Sequence, residues 1–388
     1  MSVINKLRIE ILKKLLENGS LTRPELLKLT GIRAATVFEA IDSLKNEGMI
    51  QEPERCGRHT GRKAPKLILS PNRMWLAGID FQTRGTLGVI TDMTGQILFR
   101  AELPALNRAS RGACLNEIRE ILRMLRDKAG KEWEKVAGIG FADPGLVDVE
   151  KAVSIRAVNV PGWENLETGK WLEKENKLPS GIWPECTVKT FMEYQARLPG
   201  CPGTLFHLEM EDGIGGGFVK DGISFAGDTH QAMEIGHIVI DSNGPLCQCG
   251  NRGCLEAIAG ENGIRRSVHE AISNGVDTVL RMEEFSLEKF TECARYDKAS
   301  RIIASNVSDS IGRALSVAVT LLNPSTIVLS GKLTGLGDLL MSSIRRVLDL
   351  NCFPGTVRDL KIEFSTLKKE DTARGAALLM RNKLLDLQ

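Results

Sequence analysis

Three cysteines crowd into Cys247-Gln248-Cys249-Gly250-Asn251-Arg252-Gly253-Cys254, with His237 a short distance upstream. Thiolates and imidazoles are donors that zinc prefers, and four of them close a tetrahedral shell with no position left for substrate. The pattern therefore predicts a structural zinc held by His237, Cys247, Cys249 and Cys254. The alternative is four unrelated residues, with reduced cysteines packed as small hydrophobes. The chain has nine cysteines. An odd count with such crowding favours metal over a disulfide framework in a reducing compartment. The remaining six read as core or surface thiols.

A second group of residues suits nucleic acid. Ile4, Leu7, Ile11, Leu12, Leu15 and Leu16 recur at helical spacing, and Asn18-Gly19 ends that helix. Thr22 and Glu25 form a capping box with Pro24 in the first turn, so a second helix begins there. Thr30-Gly31-Ile32 is a tight turn, and a third helix runs from about Arg33 to Asn46 with Val37, Ala40, Ile41 and Leu44 on one face. Residues 51–69 then read as a hairpin with a basic tip. This is a winged helix-turn-helix over residues 1–70. Its third helix would lie in the major groove, with Arg33, Ala34, Ala35, Thr36 and Phe38 nearest the bases. At the hairpin tip Arg62 and Lys63 would reach phosphates or the minor groove. Residues 1–73 carry 14 basic and 8 acidic side chains, against 37 and 41 in the rest. A basic head on a mildly acidic body fits this reading. A protein-binding or dimerising three-helix module is the competing one.

The elements behind these groups follow from the remaining pattern. The chain has 388 residues, 42% of them hydrophobic and 26% charged, ordinary values for a globular protein of two or three domains. No apolar run reaches the ~18–20 residues of a membrane helix, and the charged N-terminus is no signal peptide. A cytoplasmic protein without membrane contact is expected. Residues 74–98 read as a strand meander, 113–129 as an amphipathic helix and 136–141 as a buried strand ending in Ala142-Asp143-Pro144-Gly145. A second strand set opens at Glu211-Asp212-Gly213-Ile214-Gly215-Gly216-Gly217-Phe218. Ile327 to Gly331 is a further buried strand, and helices are expected over 301–322, 335–349 and 371–386. Two α/β lobes around a cleft fit this order. The first comprises residues 74–184 plus 365–388, and the second, with the zinc site, residues 185–364.

From residue 3 to 388 the chain resembles the ROK proteins, which include sugar-responsive repressors and sugar kinases. The most specific stretch is Glu234-Ile235-Gly236-His237 followed by Cys247-x-Cys249-Gly250-x-x-Gly253-Cys254-Leu255-Glu256. Asn159-Val160-Pro161-Gly162-Trp163 and the Gly213–Gly217 loop also match. The resemblance implies an actin-like (ribonuclease H-like) α/β fold and a sugar site between the lobes. In that site Asn159, Glu234, His237 and Glu256 would contact hydroxyls. Carboxylates and amides suit vicinal hydroxyls. The zinc would scaffold the site by holding His237 and placing Glu256 just beyond Cys254. A winged helix marks the repressor branch of the family.

Four elements depart from the kinase pattern that the resemblance supplies. Asp-x-Gly-Gly-Thr is replaced by Asp80-Phe81-Gln82-Thr83-Arg84, which lacks both glycines. The Asp that serves as base becomes Glu185, preceded by Pro184 where the family has Asn. The Thr of the second phosphate loop is Asp212, and the nucleotide-side turn is reduced to Ser330-Gly331-Lys332. A displaced base and lost phosphate turns argue against phosphoryl transfer. The expectation is thus a regulator without ATP as cofactor, probing operator DNA as a homodimer or dimer of dimers on an inverted repeat. A sugar or sugar-phosphate would be its effector. An ATP-dependent sugar kinase using Glu185, and a DNA-binding protein with a ligand-blind body, are the alternatives.

Overall fold

Leu7, Ile11 and Leu15 recur every four residues and are buried, so the chain from Val3 to Asn18 forms helix α1. The computed structural model describes residues 3–53, 65–82, 85–105, 108, 110–157, 160–199 and 203–387. The expected capping box is present at the start of α2 (Arg23–Thr30). The Glu25 amide donates to Thr22 Oγ1 at 3.3 Å, and the Thr22 amide donates to Glu25 Oε2 at 2.7 Å. Gly31 ends α2 in the left-handed conformation, and α3 (Ala34–Asn46) buries Val37, Ala40, Ile41 and Leu44. Strands β1 (Leu21–Thr22), β2 (Ile50–Gln51) and β3 (Lys66–Leu69) form a small antiparallel sheet in the order β1-β3-β2. Three helices beside such a sheet are a winged helix-turn-helix. The wing tip, with Arg62 and Lys63, lies outside the described residues.

The chain divides into two compact units. The first is Met1–Met192, Arg197–Gly200 and Lys368–Gln388, and the second is Glu193–Ala196 and Cys201–Leu367. In the first, β4 (Trp75–Gln82), β5 (Gly85–Thr91) and β6 (Ile97–Pro104) form the antiparallel meander. Helix α4 (Arg111–Ala129) follows, then β7 (Val136–Asp143), parallel to β4. A small sheet of β8 (Leu146–Asp148), β9 (Val153–Arg156) and β10 (Glu164–Leu166) comes next, then helix α5 (Thr168–Asn176). Strand β11 (Ser180–Pro184) completes the main sheet in the order β11-β7-β4-β5-β6. Successive strand residues face opposite sides. Ala77, Ile79 and Phe81 therefore share a core with Ile118, Ile121 and Leu125 of α4, and Gly78 faces the other way. There, a Cβ at Gly78 or Gly140 would meet a carbonyl oxygen of Ala373 or Ala376 at 1.9 Å. The missing side chains let the last helix lie directly on the sheet.

After α6 (Glu185–Gln195) the second unit repeats the plan. Its strands are β12 (Thr204–Met210), β13 (Ile214–Lys220), β14 (Ile223–Ser224), β15 (Thr326–Ser330) and β16 (Lys361–Phe364), in the order β14-β13-β12-β15-β16. Helices α7 (Leu255–Ala259), α8 (Glu261–Ser273), α9 (Leu287–Cys293), α10 (Lys298–Leu322), α11 (Asp338–Asn351) and α12 (Pro354–Val357) belong to this unit. Helix α13 (Asp371–Leu384) returns to the first. In both sheets the first strand is central. Two antiparallel strands extend from one side of it and two parallel strands from the other. This duplicated order is the actin-like, ribonuclease H-like plan. The second strand set opens at Thr204, ahead of the glycine-rich run that marked it in the sequence. Leu205, Phe206 and Leu208 are buried there around His207. Among the described residues no helix is long and apolar enough to cross a membrane.

Candidate functional site

In the second unit, the chain from Glu234 to Glu256 closes on itself. A short 3-10 turn, Ile235–His237, follows Glu234, so Glu234 and His237 flank one turn of tight helix instead of an α-helix. The Ile240 amide donates to Gly253 O at 2.8 Å and the Leu255 amide to Ile238 O at 2.9 Å. These bonds bring the cysteine loop back onto the His237 turn. The donor atoms of His237, Cys247, Cys249 and Cys254 all lie within 4.8 Å of one another, a cluster that could hold a metal ion. Cys247 Sγ is 3.7 Å from His237 Nδ1, and Cys249 Sγ is 3.6 Å from Cys254 Sγ. Ligands ~2.0–2.3 Å from a tetrahedral zinc stand roughly 3.5–3.8 Å apart, so the set fits that ion.

Both carboxylates expected at this site are beside the cluster. Glu256 lies in the first turn of the helix that follows Cys254, and its Oε2 accepts the Ile214 amide at 3.0 Å. A Cβ at Gly213 would meet the same oxygen at 2.6 Å, so a side chain there would push the Glu256 carboxylate from this position. Glu234 is exposed, yet the protein packed around its carboxyl raises its pKa. The His237 ring counters that rise and the charge of Glu256 adds to it. Glu234, His237 and Glu256 are therefore within electrostatic reach of one another. Asn159 lies outside the described residues.

The positions where a kinase would handle ATP are occupied by internal pairs. Glu185 heads α6, and its Oε1 lies 2.5 Å from Lys189 Nζ and 3.5 Å from Gln82 Nε2. Gln82 Nε2 also donates to Asp80 Oδ2 at 2.6 Å. In the second unit Lys332 Nζ lies 2.8 Å from Asp212 Oδ1 and 3.7 Å from carboxylate oxygens of Glu211 and Glu288.

Asp143, at the end of β7, is a hub that the sequence reading passed over. Its Oδ2 accepts from Ser154 Oγ at 2.5 Å and Trp163 Nε1 at 3.0 Å, and its Oδ1 accepts the Gly145 amide at 2.9 Å. Burial pushes this carboxyl up to about 6, and the charge of Glu185 adds to the rise. The three hydrogen bonds oppose it. Trp163 is itself buried, 5.1 Å from the Phe81 ring. A carboxylate ending a buried apolar strand was the available signal. Lys332 gave none, because its three partners are remote in sequence.

On the winged helix-turn-helix, Arg33, Ala34 and Ala35 are exposed at the start of α3, and Thr36 and Phe38 are half-buried. The Arg23 guanidinium lies over the Phe38 ring at 5.4 Å and pairs with Asp42 at 2.8 Å. Phe38 is thus partly covered by α2.

The ROK family model matches residues 76–383. A xylose repressor of Caldicellulosiruptor bescii is 24% identical over 98% of this chain and 96% of its own length. A glucokinase of Thermotoga maritima is 25% identical over 80% of this chain and 99% of its own. The crystal structure of a ROK family transcriptional regulator, a homolog of the E. coli Mlc protein, superposes with a TM-score of 0.85. It shares 23% identity over 98% of this chain and 97% of that one. The family match, the duplicated sheet and the His237–Glu256 segment agree, and the chain is a member of the ROK family.

Proposed function

We propose that this chain is a DNA-binding transcriptional regulator of sugar-metabolism genes, acting as a repressor, with a sugar or sugar-phosphate as effector. The observation that carries the reading is the winged helix-turn-helix ahead of the ROK domain. The repressor match spans that module, whereas the glucokinase match covers its whole enzyme and leaves about a fifth of this chain over. The exposed start of α3 would enter the major groove. A homodimer would place two such helices on an inverted repeat.

Glu234, His237 and Glu256 would hold the effector. If His237 Nδ1 faces the metal, the neutral ring carries its proton on Nε2 and can donate to a hydroxyl. Glu256 has one oxygen committed to the Ile214 amide and one left for a hydroxyl. Zinc on His237, Cys247, Cys249 and Cys254 supplies rigidity and no chemistry, since all four positions are taken by protein.

A kinase reading is less well supported. A base must be free to reach the proton it takes, and Glu185 is ion-paired with Lys189. Asp212 brings negative charge to a phosphate turn, and Lys332 is already engaged with it.

The test is selection of genomic DNA fragments by the full chain, repeated with a panel of sugars and sugar phosphates. Enrichment of a palindromic site that one of them abolishes or strengthens is expected. Sugar-dependent ADP production at ordinary enzymatic turnover, without fragment enrichment, would overturn the reading in favour of the kinase.

A further inference from the structure

Ser70 to Met74 join the winged helix to the body, and this segment is tied at both ends. On the module side, Arg73 Nε donates to the carbonyl of Glu47, the C-cap of α3, at 3.0 Å. The Ser70 amide donates to Met49 O at 2.9 Å. On the body side, Pro71 O accepts the Met93 amide at 3.2 Å. Met93 belongs to the turn between β5 and β6. Asp92 Oδ1 braces that turn by accepting from the amides of Thr94 at 2.8 Å and Gln96 at 3.0 Å, and from Thr94 Oγ1 at 2.7 Å.

Helix α13 grips the same turn twice. Arg381 Nη1 donates to Met93 O at 3.0 Å, and Arg374 Nε donates to Gly95 O at 2.7 Å. Two turns separate these arginines, so they share one face of the helix. Arg381 is 2% exposed. Burying a guanidinium is costly unless its donors are used, and here they hold a turn carbonyl and the Asn382 side chain.

We infer that the β5–β6 turn is a bracket that fixes the recognition helix to α13, with Arg73, Arg374 and Arg381 as positioning residues for DNA binding. The inference rests on the DNA-reading role proposed above. Helix α3 is about 20 Å long at ~1.5 Å per residue. A tilt of roughly 10° at its C-terminal base moves its reading end by about 3 Å, near the ~3.4 Å step between bases. A regulator that must match two half-sites therefore needs this base held firmly. Unit 2 returns the chain to unit 1 at Lys368, three residues before α13 begins.

The test compares Arg73→Met, Arg374→Met and Arg73→Lys with wild type in the full chain, by amide exchange and by selection from random duplex DNA. Arg73→Met should speed exchange over residues 44–50 about fivefold, the scale of one hydrogen bond. Arg374→Met, which touches only the body side, should speed exchange in residues 92–96 and also in 44–50. Both Met variants should enrich the wild-type half-site with a broadened spacing between half-sites, and Arg73→Lys should keep the wild-type spacing. Unchanged exchange over 44–50 in Arg374→Met overturns the bracket, as does wild-type spacing in both Met variants. If wild type enriches no duplex, the DNA reading fails, and the exchange arm alone still decides the bracket.

Discussion

Lys332 Nζ sits 2.8 Å from Asp212 Oδ1 and draws in Glu211 and Glu288 at 3.7 Å. One ammonium thus offsets three carboxylates around the turn between β12 and β13. That turn precedes the Ile214 amide that Glu256 accepts, and Asp212 O accepts the Glu261 amide at 3.1 Å. The ion pair therefore braces the turn next to the Ile214 amide and Glu256. Asp212 is partly exposed, so solvent screening limits the effect. Lys332→Met should lower stability by about 1 kcal/mol at low salt, mainly through like-charge repulsion. The deficit should shrink in molar salt, and Asp212→Asn in the same background should recover part of it. Denaturant titrations at two salt concentrations check this. A deficit independent of salt would assign the loss to packing.

Asp143 makes a pH dependence. Its pKa in the folded chain is raised to about 6 by burial, above the ordinary carboxylate value of about 3.9 in an unfolded chain. Between those values the folded state holds the proton and the unfolded state does not. Stability from this group is therefore full below about pH 4 and is lost as pH rises through 6. Two pKa units correspond to at most about 3 kcal/mol. Asp143→Asn should remove this slope, so the stability difference between wild type and variant should change across pH 4–6 and level off above 7. Parallel stability curves for the two proteins over that range would refute the assignment.

Much of this architecture was legible in local pattern. The capping box at Thr22 and Glu25, the helix faces of α1 and α3, and the cysteine cluster all rest on residues near one another in sequence. Local chemistry decides such features. The strand β12 was hidden because the glycine-rich run after it was the stronger signal, and a short apolar stretch carries no period of its own. Lys332 and Asp143 draw their roles from partners brought together only by the duplicated sheet. Long-range pairs of this kind leave no spacing to read. Phe38 was placed among the base-facing residues from its helical position, but the Arg23 side chain that covers it comes from the preceding helix.

Cys249 separates metal from packing. It is the exposed member of the cluster, and an exposed Cys→Ser change away from special features shifts stability by less than about 0.5 kcal/mol. A metal ligand behaves otherwise, because binding free energy is carried into folding. Cys249→Ser should abolish stoichiometric zinc and lower the melting temperature of the second unit by several degrees, and a strong chelator should do the same to wild type. Elemental analysis beside calorimetry measures both. Retention of a full zinc complement with an unchanged melt would contradict the four-ligand assignment.

Arg33 offers the sharpest test of the reading surface. It is exposed at the N-cap of α3, where a side chain reaches either a phosphate or the first base edge. The two contacts differ in their salt dependence. A phosphate contact releases a counterion, so Arg33→Ala should weaken binding evenly across sequences and reduce the slope of log K against log salt by about 1. A base contact should relax the preference at one position of the half-site by about 1–3 kcal/mol, with the slope nearly kept. Either outcome should leave the unfolding of the body unaltered, since the side chain points away from the buried face of α3. Binding to the selected site should fall by about tenfold or more in both cases. Wild-type affinity and slope in Arg33→Ala would move the reading surface away from the start of α3.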